Sequence, residues 1–355
     1  MKTRVHFSSD ADPGIGRTGS NGDFAYLHAN GRPVRDRATL ARIGALVIPP
    51  AWTDVWICPS AHGHMQATGR DARKRKQYLY HAGWVAERDS DKFEALAGFA
   101  AVLPRIRRAV RRDLARPGVA KERVLAAIVQ LMDRTFIRVG GERHRRENGS
   151  FGLTTLRNRH VKARGASVTL DFRGKSGKHH RIEIDDARVA RVVRRCLDLP
   201  GEVLFQYEDG DARRSLSAPD VNDYLRRISG AAITSKDFRT WGGTVCAATY
   251  LARAGPPADK TAAKRCVREA IKATSLVLGN TPAVCKRSYI APVVFAAYDA
   301  GTLPEGRPLA GMRKGECAVV ALLAQGVRPP SDVPSKRRMR PARHVRPHPE
   351  ARVPA

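Results

Sequence analysis

The strongest constraint on the fold is a change of hydrophobic period near residue 90. Upstream, apolar residues alternate or sit between glycines, the pattern of short strands. Gly14, Gly16, Gly19, Gly22 and Gly31 punctuate the start, and Asn30-Gly31 between Tyr26-Leu27 and Val34 predicts a hairpin turn. Val55, Ile57, Met65 and Ala67 alternate across Pro59–Gly63 and predict a second hairpin. Downstream, the period lengthens to that of a helix. Phe93, Leu96 and Phe99 recur at spacings of three, and Arg105–Ala115 follows Leu103-Pro104 as a further helical segment. In Lys121–Phe136 the apolar residues Val124, Ile128, Leu131, Met132 and Phe136 share one face. Val168, Leu170 and Phe172 on one arm, with Ile182 and Ile184 on the other, predict a β-hairpin with Gly174–Lys178 at its tip. Helical patterns return from Ala187 to about Ala324, broken near Pro200, Pro256-Pro257, Pro282 and Pro304. The expected class is α+β: a small β-rich domain over 1–90, a mostly helical domain over 91–325, and a basic, Pro-rich tail over 326–355 that is too polar to build a core.

Charge narrows the partner. The chain of 355 residues has 64 Lys and Arg against 34 Asp and Glu, a formal net charge of +30. Such a field attracts polyanions, and nucleic acid is the commonest large one. Apolar runs such as Cys317–Ala324 and Pro292–Tyr298 fall far short of the roughly 20 residues needed to span a bilayer. The opening residues MKTRVHFSSDADPG lack the apolar stretch of a signal peptide, so a cytoplasmic protein without a membrane partner is expected. The stretch Gly69–Tyr80 is basic and ends in aromatics, which suits contact with a nucleic-acid backbone.

Several chemistries lack their motifs. No GxxxxGK[ST] loop, HExxH or GxSxG is present. The pairs Asp10/Asp12 and Asp209/Asp211 lie in turn-forming contexts and read as turn chemistry. Cys58, Cys196, Cys246, Cys266, Cys285 and Cys317 show no CxxC spacing, and His62/His64 and His179/His180 lack a second ligand pair. No cofactor and no metal are expected, so phosphate chemistry would fall to side chains alone.

Four segments could carry it. They are Thr135–Gly140 with the following Gly141–Leu156, the hairpin tip with Lys175, Ser235–Gly242, and Leu278–Ile290. Together they resemble the type IB DNA topoisomerases of the short poxvirus-like and bacterial branch. The matching contexts are FxRxG at Arg138, a hairpin Lys at Lys175, KDxRT at Arg239, G[HN]TP at Asn280, and a Tyr nine residues later at Tyr289. Asp12–Ile15, Ile48–Trp52 and Gly69–Tyr80 extend the resemblance towards the N-terminus, so that it covers about residues 10–325.

The resemblance implies a two-lobed clamp around double-stranded DNA, a monomer, and an ATP- and metal-independent isomerase associated with a bacterial nucleoid. It implies Tyr289 as nucleophile, forming a 3′-phosphotyrosyl bond, and Lys175 as general acid to the leaving 5′ oxygen. Arg138 and Arg239 would hold the non-bridging oxygens, and Asn280 would donate an amide N–H to one of them. DNA contacts are expected from Gln66, Arg70, Arg73, Lys74, Arg75, Lys76, Gln77, Tyr78, Arg143, His144, Lys178 and Lys236. Asn280 replaces the His of poxviral relatives, which removes proton transfer at that position, and His144 stands where the poxviral pattern has a base-contacting Tyr. The alternatives are a tyrosine recombinase, whose second Arg usually lies in HxxR, and a noncatalytic DNA-coating protein.

Overall fold

The computed structural model describes residues 5–20 and 22–325. The basic tail expected over 326–355 lies outside the described residues. The chain opens with β1 (Ile15–Ser20), β2 (Asp23–Leu27), α1 (Arg37–Ala45), β3 (Thr53–Ile57), β4 (Met65–Arg70) and β5 (Lys76–Tyr80). These strands form one antiparallel sheet in the order β2-β1-β3-β4-β5. The hairpin predicted across Pro59–Gly63 is present as β3–β4, with Ile57 opposite Ala67. Ile15, Val55, Ile57 and Ala67 bury one face of the sheet against Ile43 of α1. Asn30-Gly31 makes a tight turn, with Gly31 at φ 79°, but closes only an isolated bridge between Leu27 and Pro33. The full hairpin at this end is β1–β2.

One long helix follows, α2 (Ala82–Leu114), then α3 (Lys121–Thr135) and α4 (Glu142–Asn148). Helix α2 starts eleven residues before Phe93, where the helical pattern becomes legible in the sequence, because the His81 ring caps it by accepting from Gly83 N–H. It also continues through Pro104, so Arg105–Ala115 is no separate helix. The cost of Pro104 is confined to one missing backbone donor and a steric clash, and packing of the surrounding turns outweighs it. Helix α3 is buried nearly all round, including Val124–Val129, and is the central helix of the core. The amphipathic stripe read from its sequence is thus only part of its buried surface. Its Asp133 is compensated by Arg107 of α2, at 2.8 Å, and by Arg313 at 2.6 Å.

Then come β6 (Val161–Arg164), β7 (Ser167–Arg173), β8 (His179–Asp185), α5 (Ala187–Leu197), β9 (Gln206–Asp209), β10 (Ala212–Ser215), α6 (Ala218–Ser229), α7 (Ser235–Ala254), α8 (Lys260–Leu278), α9 (Pro282–Tyr289), α10 (Pro292–Asp299) and α11 (Lys314–Ala324). The predicted hairpin is β7–β8, with Val168 opposite Ile184 and Leu170 opposite Ile182, extended to three strands by β6. The short hairpin β9–β10 stands just past the predicted break near Pro200, in a stretch the sequence suggested was helical. Asp209 and Asp211 lie at its turn, and Asp209 pairs with Arg214 at 2.8 Å. All six cysteines are free thiols. Among the described residues, no helix is long and apolar enough to cross a membrane.

Candidate active site

Three chain reversals bring the candidate residues together. The first ends α3. Phe136 takes the left-handed conformation at φ 56°, which turns the chain so that Ile137 enters the core and Arg138 faces the cleft. Arg138 and Val139 are then held by backbone bonds, Leu153 N–H to Arg138 C=O and Thr154 N–H to Val139 C=O. The second reversal joins α8 to α9. Gly279, left-handed at φ 62°, ends α8, Thr281 caps α9 by accepting from Val284 N–H, and Pro282 starts that helix. Asn280 is thereby fixed in the corner between two helices. The third is the β7–β8 tip, where Ser176 and Gly177 adopt positive φ and leave Lys175 exposed.

Arg239, on the second turn of α7, is 4% exposed. It donates to Phe136 C=O and, at 2.8 Å, to Leu278 C=O. These carbonyls stand at the C-terminal ends of α3 and α8, where helix dipoles favour a cation. No carboxylate pairs with Arg239 among the described residues. Burial, followed by the neighbouring charge of Arg138, lowers the guanidinium to about 10.

Tyr289 ends α9 and is buried, with Arg239 Cζ 5.0 Å from its ring centroid. Arg138 Nη1 lies 3.5 Å from its hydroxyl, a long hydrogen bond. Burial alone would raise the Tyr289 phenol, but the charges of Arg138 and Arg239 outweigh it and the net shift is downward. Cys285, one turn earlier, is pushed the other way by burial, to about 11, and stays a neutral thiol.

Arg138 also fixes Asn280. Its Nη2 donates to Asn280 Oδ1 at 2.8 Å. Because arginine only donates, the amide oxygen must face it and Nδ2 must face away. Asn280 Nδ2 and Arg239 Nε are both buried and have no protein partner among the described residues. Two such donors beside a phenol are costly unless an acceptor arrives. Lys175 lines the same cleft as Arg138, Arg239 and Gly279.

The expected DNA contacts divide. Arg70–Tyr78 form the end of β4, the turn and β5, and that turn is organised by Asp71. Asp71 accepts from Arg73 N–H, Arg75 and Gln77, and the Arg75 side chain, followed by the Arg75 and Arg73 N–H groups, holds its carboxyl at about 2. Lys76 pairs with Asp10, and Tyr78 stacks on Tyr80. Arg143 and His144 are exposed on α4, where Arg143 meets Glu147, and Lys236 is exposed on α7. Gln66 does not join them. It is 3% exposed, donates to Ser60, Ala61 and Gly63 carbonyls, and accepts from Arg42, which anchors a loop. Lys178 turns inward to donate to Asn280 C=O at 2.7 Å.

Sequence reasoning missed Gly242 and Gly243. A Cβ on Gly242 would lie 2.4 Å from the Phe136 ring, and one on Gly243 would lie 2.4 Å from Tyr289 C=O. The pair lets the Arg138 reversal and the nucleophile both close onto α7. The run Trp241-Gly242-Gly243 after Arg239-Thr240 was the available signal, since paired glycines inside a helix need a packing reason.

Residues 73–296 match the family described as eukaryotic DNA topoisomerase I, catalytic core. The chain belongs to the type IB DNA topoisomerases. Residues 23–71 match the bacterial DNA topoisomerase IB N-terminal domain. A DNA topoisomerase 1B of Acanthamoeba polyphaga mimivirus is 32% identical over 293 residues, covering 80% of this chain and 87% of the viral protein. The DNA topoisomerase 1B of vaccinia virus (strain Copenhagen) is 25% identical over 232 residues, 64% of this chain and 70% of its own. The DNA topoisomerase I of monkeypox virus is 24% identical over the same length. The fold suits this family's name in coarse terms: a small N-terminal sheet precedes a mainly helical region.

Proposed function

We propose that this type IB topoisomerase relaxes supercoiled duplex DNA by transient cleavage of one strand through Tyr289. The observation that carries the reading is the meeting of the Tyr289 hydroxyl with Arg138, beside the unpartnered donors of Arg239 and Asn280. A phosphodiester placed there would present its non-bridging oxygens to Arg138, Arg239 Nε and Asn280 Nδ2. Those groups stabilise the charge that builds on the phosphoryl oxygens.

The Tyr289 oxygen, losing its proton to water, attacks phosphorus. The bond from phosphorus to the 5′ oxygen breaks, and Lys175 gives that oxygen a proton. The product is a 3′-phosphotyrosyl bond and a free 5′ hydroxyl. Rotation of the free strand releases supercoils, and the 5′ oxygen then attacks to expel Tyr289. One phosphodiester is exchanged for another, so the cycle is close to thermoneutral in its bonds.

We further propose that the N-terminal domain, over 1–90, and the catalytic domain, over 91–325, grip the duplex between them as a monomer. Arg70–Tyr78, Arg143, His144 and Lys236 supply backbone and groove contacts.

The test is relaxation of supercoiled plasmid in EDTA without ATP, with wild type against Tyr289→Phe. Relaxation and a denaturation-resistant protein–DNA adduct from wild type alone support the reading. Relaxation by both proteins, or by neither despite DNA binding, refutes it.

A further inference from the structure

His180 lies on β8 directly opposite Phe172 of β7, and the two rings stack at 5.2 Å and 19°. Its ring touches two backbones that the chemistry depends on. A Cβ on Gly174, the residue before Lys175, would lie 2.6 Å from His180 Cδ2. A Cβ on Gly279, the residue before Asn280, would lie 2.6 Å from His180 Cε1. The imidazole is thus a flat spacer between the root of the Lys175 hairpin and the turn that carries Asn280. Both neighbours are glycine, the residue that leaves room for a ring at such close approach. Lys178 ties the same two segments a second time through Asn280 C=O.

We infer that His180 is a positioning residue for Lys175, holding the hairpin tip at the distance from Asn280 that proton delivery to the leaving oxygen requires. This rests on the reading of Lys175 as general acid. A neutral ring suits the place. Burial, then Arg239 and Arg138, and then His179 and Lys178, depress the His180 imidazole, so it adds no third cation beside the guanidiniums. Lys175, Ser176 and Gly177 at the tip are all exposed, so the placement of the tip depends on what packs and bonds at its root, His180 and Lys178. Misplacing a proton donor by about 1 Å is enough to lose on the order of 10²-fold in rate.

The experiment is single-turnover cleavage of two synthetic duplexes, one ordinary and one with sulfur in place of the leaving 5′ oxygen. A thiol ionises near a pKa of about 8.5, so a thiolate leaves without help from an acid. His180→Ala should cleave the ordinary duplex ~10²-fold more slowly than wild type, within the range a general acid supplies. On the sulfur duplex it should fall within about threefold of wild type, the residual expected once the acid is bypassed. His180→Phe, which keeps the flat ring, should stay within about fivefold of wild type on both, because the role lies in shape. His180→Leu fills the space without a plane and carries the same expectation as His180→Ala, should the alanine variant not fold.

An equal loss on both duplexes, in a variant with a normal melting transition, overturns the inference. So does a normal rate on the ordinary duplex. Lys175→Ala separates the two readings. If sulfur rescues Lys175→Ala but not His180→Ala, only the role of His180 fails. If sulfur does not rescue Lys175→Ala, the general-acid reading fails and this inference with it.

Discussion

Arg239→Met removes a buried cation while keeping most of its length and bulk. Its guanidinium is held at about 10, well below the ordinary arginine value. At about 1.4 kcal/mol per tenfold change in proton affinity, that corresponds to roughly 3 kcal/mol of unfavourable charge burial at pH 7. The sign follows from the base being charged in both states: a lowered folded value means that the charged form costs more folded than unfolded. Methionine relieves this cost. It also leaves Phe136 C=O and Leu278 C=O without the donor seen here, at about 1–3 kcal/mol each. The opposing effects largely cancel, so urea unfolding of the DNA-free variant should lie within about 3 kcal/mol of wild type. The chemistry is not symmetric in this way. Loss of a preorganised donor to the phosphoryl oxygens should slow single-turnover cleavage ~10²–10³-fold. Near-normal stability with a large kinetic loss would place Arg239 in the protein for the reaction. Destabilisation above about 4 kcal/mol would refute the reasoning, because Arg239 would then be a staple between helix ends.

Three more outcomes are expected. Arg138→Ala should raise the Tyr289 phenol, so the increase in cleavage rate with pH should move to higher pH than in wild type; an unmoved profile would show that Arg138 does not set it. Gly243→Ala puts a methyl group 2.4 Å from Tyr289 C=O and should displace α9, cutting cleavage ~10²-fold while plasmid binding persists; full activity would show that α9 can shift freely. Glu316→Ala strips Arg107 of one of its two buried carboxylate partners, at 2.7 Å, and should cost about 3–5 kcal/mol in denaturant unfolding; a change below about 1 kcal/mol would show that Asp133 alone suffices.

What the sequence revealed depended on how local the governing physics was. The β3–β4 and β7–β8 hairpins were legible because alternation matches the pleat, and both arms lie within a short stretch of chain. Helix α3 was legible in extent. Its all-round burial was not, because beside the adjoining α2 it depends on α5, α6 and α7, which come from far along the chain. Pro104 was misread as a break because the compensating packing is tertiary. The resemblance picked out Arg138, Lys175, Arg239, Asn280 and Tyr289, and all of them line or adjoin one cleft. It said nothing of Gly242, Gly243 or His180, whose roles are set by what approaches them through space. Gln66 shows the same limit from the other side: nothing local tells a polar residue that serves a ligand from one that anchors a buried loop.

The joint between sheet and helices has a mechanical consequence. Strand β5 ends at Tyr80 and α2 begins at Ala82, so His81 alone separates them. That residue is pinned, its N–H bonded to His64 C=O and its ring to Gly83 N–H. A torque on the β4–β5 turn therefore passes into α2 as into the handle of a wrench. The lever is 33 residues long, about 50 Å at the rise of a helix. Pro104 lies within it, where the ladder lacks a rung. One turn further on, Arg107 is locked to α3 and α11. If the β4–β5 turn grips DNA as proposed, drag from the turning duplex would pass along α2 and through Pro104 before it reached the helices that hold Arg138 and Arg239.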